Sequence, residues 1–127
     1  MTAAEPRAIE EYLAGLEPAK REPVERYYAR AADLIEAVQV GRSYAMPCYL
    51  YRGKGLISVM ATQQGLSVIP FSGSVTQQLR AAHADAALDL SEGSGSIRIT
   101  LASPLPDALF DELIRLRAAE IDAKARR

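Results

Sequence analysis

The sequence predicts an α+β fold, a two-layer sandwich in which an antiparallel sheet packs against N- and C-terminal helices. Three observations predict it: apolar stripes of helical period at both ends, a strand-rich middle, and turns of three or four residues between those strands. Short connections imply antiparallel pairing, since a parallel pair needs a crossover of about a dozen residues or more. Helices, then adjacent strands, then a helix is the order of an α+β domain. With 127 residues and no internal repeat or linker, residues 1–127 read as one domain.

At the front, Ile9, Leu13 and Leu16 follow helical spacing with Glu10, Glu11 and Glu17 turned outward. Gly15 and Pro18 keep this first helix short. A second helix is expected to begin near Glu22 and Pro23, because proline is tolerated in a first turn. Val24, Tyr27, Tyr28, Ala31, Leu34, Ile35 and Val38 form its stripe, and Gly41 marks its end. From Ser43 the pattern changes. Pro47 interrupts any helix, and residues 49–51 suit a strand through their aromatic content. Arg52-Gly53-Lys54-Gly55 reads as a tight turn, residues 56–62 as a second strand, Gln63-Gln64-Gly65 as a turn, and residues 66–71 as a third strand. Ser72-Gly73-Ser74 is a loop, residues 75–82 a short helix, residues 91–95 a flexible segment and residues 96–101 the last strand. Pro104 and Pro106 lead into a long final helix through about Ala123, with Leu109, Phe110, Leu113, Ile114 and Ile121 on its buried side.

Charge and composition narrow the function. Fifteen Lys and Arg oppose 16 Asp and Glu, a formal net charge of −1. That balance lacks the basic footprint of non-specific nucleic-acid binding, so no nucleic-acid partner is expected. No run approaches the roughly 18 apolar residues of a membrane span, and the first residues lack the apolar stretch of a signal peptide. The expected setting is cytoplasmic, with no membrane partner. One cysteine excludes an internal disulfide framework, and one histidine excludes a site of several imidazoles. Cys48 has no activating group in view, His83 lies in a separate polar stretch, and serines 72, 74, 91, 94 and 96 carry no nucleophile-elbow pattern. The chain is therefore not expected to be an enzyme. Its oligomeric state is open.

Several segments together resemble one family. AIEEYLAGLEPAKREPVERYYARA (8–31) is similar to its N-terminal helical signature, and SYAMPCY (43–49) to its Ser-Tyr-Gly-Met-Pro core followed by an aromatic residue. Tyr51-Arg52-Gly53-Lys54 matches the turn that follows, and Ile69-Pro70-Phe71-Ser72-Gly73 a strand end with proline and glycine. Gly95-Ser96-Ile97-Arg98-Ile99 and Pro104-Leu105-Pro106 resemble the closing strand and the start of the last helix. The family is the YdhG-like domain-of-unknown-function family. It departs from that pattern at Ala45, where glycine is usual, at Cys48, where a small residue is common, and at Ser94, where lysine is often found. The resemblance implies a compact sandwich often compared with frataxin. It also implies a role as an intracellular iron chaperone, with iron or an iron-accepting protein as partner and no cofactor required. Function transfers less readily than fold, because one fold hosts many activities.

An iron role needs exposed oxygen ligands, which suit weakly held hard cations. Glu22, Glu25, Asp33 and Glu36 fall within a sector of roughly 80° opposite the apolar stripe of the second helix, as two i,i+3 pairs about 4.5 Å apart along the axis. They are the candidate metal ligands. A plain solvated face, with Glu22 paired to Arg26 at i,i+4, competes with that reading. The 43–49 motif offers either one wall of a ligand groove, through Tyr44, Met46 and Tyr49, or core packing around Pro47. Arg117 falls on the buried face of the last helix, where a charge must pair or reach the surface; Glu120 and the hydroxyls of the motif are its candidate partners. Arg52, Lys54 and Arg98 are the basic residues nearest the strand turns, where glycine-rich backbone can hold an anion or simply turn. Tyr44, Met46, Tyr49, Arg98 and Arg117 are the candidate ligand-binding residues. The alternative to iron is thus a groove around 43–49 that binds a small molecule or a protein partner without metal.

Overall fold

In the computed structural model, which describes residues 2–90 and 95–126, the chain runs β1 (Thr2–Ala4), α1 (Ala8–Ala14), α2 (Pro18–Leu34), β2 (Gln39–Ser43), β3 (Met46–Tyr51), β4 (Lys54–Ala61), β5 (Gly65–Ile69), α3 (Gly73–Ala82), β6 (Asp89–Leu90), β7 (Ile97–Thr100) and α4 (Asp107–Ala125). The strands form one antiparallel sheet in the order β1-β2-β3-β4-β5-β7-β6. Strands β2 to β5 are a meander, because each is joined to the next by a tight turn that leaves no room for a crossover. The expected α+β sandwich is the observed fold.

The second helix begins and ends elsewhere than its pattern suggests. It starts at Pro18, which occupies the first helical position where a missing N–H costs nothing. Pro23 therefore lies inside the helix. The helix stops at Leu34, with Ile35 extended at φ −124° and Ala37 left-handed at φ 62°. Val38 and Gly41 consequently lie outside it, and Gly41 belongs to β2, a strand hidden by an apolar spacing that continued the helical stripe. Strands β1 and β6, three and two residues long, also have no pattern of their own. The other expected strands and helices are present, with ends shifted by up to three residues. Of the segment expected to be flexible, residues 91–94 lie outside the described residues.

Helices α1, α2 and α4 lie against the sheet. Val24, Tyr27, Tyr28 and Ala31 of α2 share one core with Leu113, Ile114 and Ile121 of α4 and with Ile57, Val59, Leu66, Val68 and Ile97 of the strands. Two buried tyrosines fix the register between layers. The Tyr27 hydroxyl donates to the Leu105 carbonyl at 2.9 Å, and its ring packs at 4.8 Å on Phe110. The Tyr28 hydroxyl accepts from the Val59 amide at 2.9 Å and donates to the Pro47 carbonyl at 3.2 Å, tying α2 to β3 and β4. Burial pushes the Tyr28 phenol up to about 12, so it remains a proton donor.

The outer side of α2 is clamped to α4. Arg30 grips both carboxylate oxygens of Asp111, at 2.6 and 2.7 Å, and Arg26 meets Asp107 at 2.9 Å. The fork geometry of guanidinium favours such two-point contact. The expected Glu22–Arg26 pair is absent for that reason: the arginine turns toward a carboxylate on another helix.

Candidate functional site

The two-residue loop Tyr44-Ala45 closes the β2–β3 hairpin, with Ser43 opposite Met46. A two-residue loop of type I′, one of the two turn types that match the right-handed twist of the strands, has positive φ at both central positions. Tyr44 and Ala45 comply at φ 51° and 65°, although neither is glycine. Tyr44 is 73% exposed and so does not pack in the core. Its ring lies nearly parallel to that of Phe71, with centroids 6.2 Å apart. Phe71, also left-handed at φ 60°, follows β5 and folds its ring over Gly55. A Cβ at Gly55 would come within 2.7 Å of that ring, so only glycine permits the approach.

Behind this aromatic rim runs a polar chain. Arg117, 8% exposed, donates from Nε to the Gly55 carbonyl at 2.9 Å and from Nη1 to Glu120 at 2.5 Å. The other oxygen of Glu120 accepts from the Ser72 hydroxyl at 3.0 Å, and Ser72 in turn accepts from the Val75 amide at the start of α3. Ser72 is thus the N-cap of α3 as well as the neighbour of Phe71. Burial resists ionisation of Glu120, but hydrogen bonds from Arg117 and Ser72 outweigh it and hold the carboxyl below its ordinary range. Next to this chain, Asp122 accepts from Arg52 at 2.9 Å and from the Tyr51 hydroxyl at 2.8 Å, and these contacts lower its pKa.

The structure therefore brings Tyr44 and Arg117 to the same loop, residues 71–72, and separates them from the other candidates. Met46, half-buried, opens β3 beside the turn. Tyr49 faces α2, its ring edge-on to Tyr28 at 5.3 Å. Arg98 lies across the sheet on β7, paired with Asp89 at 2.8 Å, and lines a cleft of about 680 Å³ between β7, the β4–β5 turn and the start of α4. A second groove, of about 530 Å³, runs between α1, α2 and the β2–β3 hairpin and includes Tyr49 and Glu25.

Glu22 and Glu25 are exposed neighbours on α2, and Asp33 is exposed near its end. Glu36 lies beyond the end of the helix, which breaks the expected i,i+3 pairing with Asp33. Among the described residues no three His, Cys, Asp or Glu side chains converge as a metal group. Cys48 is fully buried, and burial pushes its thiol up to about 11. His83 contacts Glu112 at 2.7 Å, joining the end of α3 to α4.

Phe71 and Ser72 complete the site, and neither was among the predicted residues. Ser72 carried a signal, since a serine just before a helix is a standard cap. The left-handed backbone of Phe71 has none.

Known proteins add the fold. No protein-family model and no curated protein matches the sequence. A crystal structure of YdhG, a protein of the DUF1801 family from Bacillus subtilis, superposes with a TM-score of 0.79 over 93% of this chain and 94% of that chain, at 19% identity. The two share a fold. The DUF1801 architecture thus agrees with the one the sequence motifs implied. Among the described residues, no helix is long and apolar enough to cross a membrane.

Proposed function

We propose that this protein is a YdhG-like member of the DUF1801 family that works as a non-enzymatic binding module, engaging an apolar or aromatic ligand at the Tyr44–Phe71 rim. One observation carries the reading. Three non-glycine residues in left-handed conformation, Tyr44, Ala45 and Phe71, gather at one place and hold a largely exposed aromatic ring there. Such strain costs about 1–3 kcal/mol per residue and concentrates at functional sites. The Arg117–Glu120–Ser72 chain gives the rim a rigid base, since each of those groups is already hydrogen-bonded. A buried, high-pKa Cys48 suits a binding module better than a nucleophilic enzyme.

Native mass spectrometry of the protein and of Tyr44→Ala, both purified without added metal or chelator, tests this. The expected result is a bound mass that is retained by the unaltered chain and lost from the variant, at equal thermal stability. Identical spectra for the two proteins would overturn the reading.

A second reading, iron handling, draws on α2. Arg26 and Arg30 are committed to α4, so Glu22 and Glu25 share an exposed face without a cation partner among the described residues. Anaerobic ferrous titration should then show binding that weakens in a Glu22→Gln/Glu25→Gln double variant. Binding no tighter than that of magnesium would remove this reading.

A further inference from the structure

The groove between α1, α2 and the β2–β3 hairpin has a different chemistry from the aromatic rim. Its floor is apolar: Ile9 and Leu13 from α1, Val40 from β2 and the ring of Tyr49 from β3. Three charged side chains also line it, and their commitments differ. Arg21 spends Nε on the Leu13 carbonyl at 3.0 Å and Nη2 on the Leu16 carbonyl at 2.7 Å, which fixes it as the clasp of the α1–α2 junction. Glu10 meets Arg7 at 3.6 Å. Glu25 has no cation partner among the described residues, because the arginine beside it, Arg26, reaches Asp107 of α4.

Tyr49 adds a polar group above that floor. Its hydroxyl has no protein hydrogen-bond partner among the described residues. Burial, with a smaller contribution from the Asp33 carboxylate, raises its pKa, so the phenol stays neutral and offers both a proton and lone pairs. An apolar floor, two carboxylates (Glu10 and Glu25) against the one guanidinium of Arg21, which is turned to backbone carbonyls, and a neutral hydroxyl make a surface of net negative charge, complementary to one kind of molecule. At about 530 Å³ the groove falls within the size range of small-molecule sites.

We infer that this groove is a binding site for a small organic cation, an apolar body carrying a protonated amine. The body lies on Ile9, Leu13, Val40 and the Tyr49 ring, while the ammonium faces Glu25 and the Tyr49 hydroxyl. No bond forms or breaks. The inference is independent of the Tyr44–Phe71 rim, and it shares Glu25 with the iron reading, so the amine titration is run without added metal.

Titration with 2-phenylethylamine, followed by backbone amide NMR shifts, tests it, with phenylacetate as the probe of equal body and opposite charge. The expected result is a saturable shift at Ile9, Val40 and Tyr49 with the amine, and none with phenylacetate at the same concentration. Glu25→Gln, an exposed change compatible with folding, should weaken the amine about fivefold, the upper range for one solvent-accessible charge pair. Tyr49→Phe should weaken it by a smaller factor. Equal shifts with amine and carboxylate, unchanged affinity in Glu25→Gln, or no saturable shift in the groove would each overturn the inference. A Tyr44→Ala protein that still binds the amine is the expected control.

Discussion

Two hairpin loops of equal length flank β3, one at each of its ends. Tyr44-Ala45 joins β2 to β3, and Arg52-Gly53 joins β3 to β4 between the paired residues Tyr51 and Lys54. Both take the form with positive φ at two consecutive residues. Arg52-Gly53 meets the requirement with one left-handed side chain, Arg52 at φ 53°, and a glycine at φ 78° next to open space. Tyr44-Ala45 meets it with two side chains, one of them a large ring in solvent. The same backbone need is thus met once with one left-handed side chain and once with two, and the more strained copy is the one stacked on Phe71. Geometry alone does not ask for Tyr44; its position is explained by what the ring presents.

The supports beneath the loops differ in the same sense. Below Tyr44 and Phe71 the contacts of Arg117 and Glu120 are mostly buried, with side-chain exposures of 10% and 20%, whereas the Arg52–Asp122 pair is 47% and 31% exposed. The largest expected effect follows from this. Arg117→Ala leaves Glu120 without its counter-charge and the Gly55 carbonyl without its donor, and should cost about 3 kcal/mol, or about 10 °C in Tm. Arg52→Ala should move Tm by no more than about 2 °C. Equal losses in the two variants would erase the contrast between the supports.

Exchanging the residue types between loops gives the next largest effect. Ala45→Gly relieves a left-handed cost of about 1–2 kcal/mol and loses part of it to a more flexible unfolded chain. A net gain of about 0.5–1 kcal/mol is expected by denaturant unfolding. Gly53→Ala should lose a similar amount, since no neighbouring atom resists the methyl group and only φ does. If Ala45→Gly is destabilising, the first loop is not strained.

The smallest effect is a dependence on acid. The folded-state pKa values of Glu120 and Asp122 are lowered. Their contribution is therefore complete above the unfolded carboxylate range of about 4 and is lost as pH falls through the lower folded values. The stability difference between the unaltered protein and Glu120→Gln should be widest near neutral pH and shrink toward about pH 2. A difference that grows on acidification would contradict these partners.

Much of the fold was legible because the meander and the final helix announce themselves locally. Gly53 and Gly65 sit at turns, and Leu109, Phe110, Leu113, Ile114 and Ile121 keep helical period along α4. The junction from α2 to β2 was not legible. Ile35 and Val38 continue the stripe of the helix, and the residue that breaks it, Ala37 at φ 62°, is the best helix former in the set. At the site, Arg117 stood out as a charge on an apolar face, and Glu120 was within reach one turn later. The pairing of Arg26 and Arg30 with α4 was hidden, because a local i,i+4 partner is visible in sequence and a partner 81 residues away is not.

That separation has a consequence for synthesis. Helix α2 gives Tyr27 to Leu105, Arg26 to Asp107 and Arg30 to Asp111, all 78 to 81 residues downstream. At a ribosomal rate of about 5–20 residues per second, α2 waits about 4–16 s for the segment that clamps it. Through that interval Tyr28 can be covered by the meander, but Tyr27 and the surface destined for α4 remain open to solvent. The nascent chain is most vulnerable to wrong partners just before its last helix is complete.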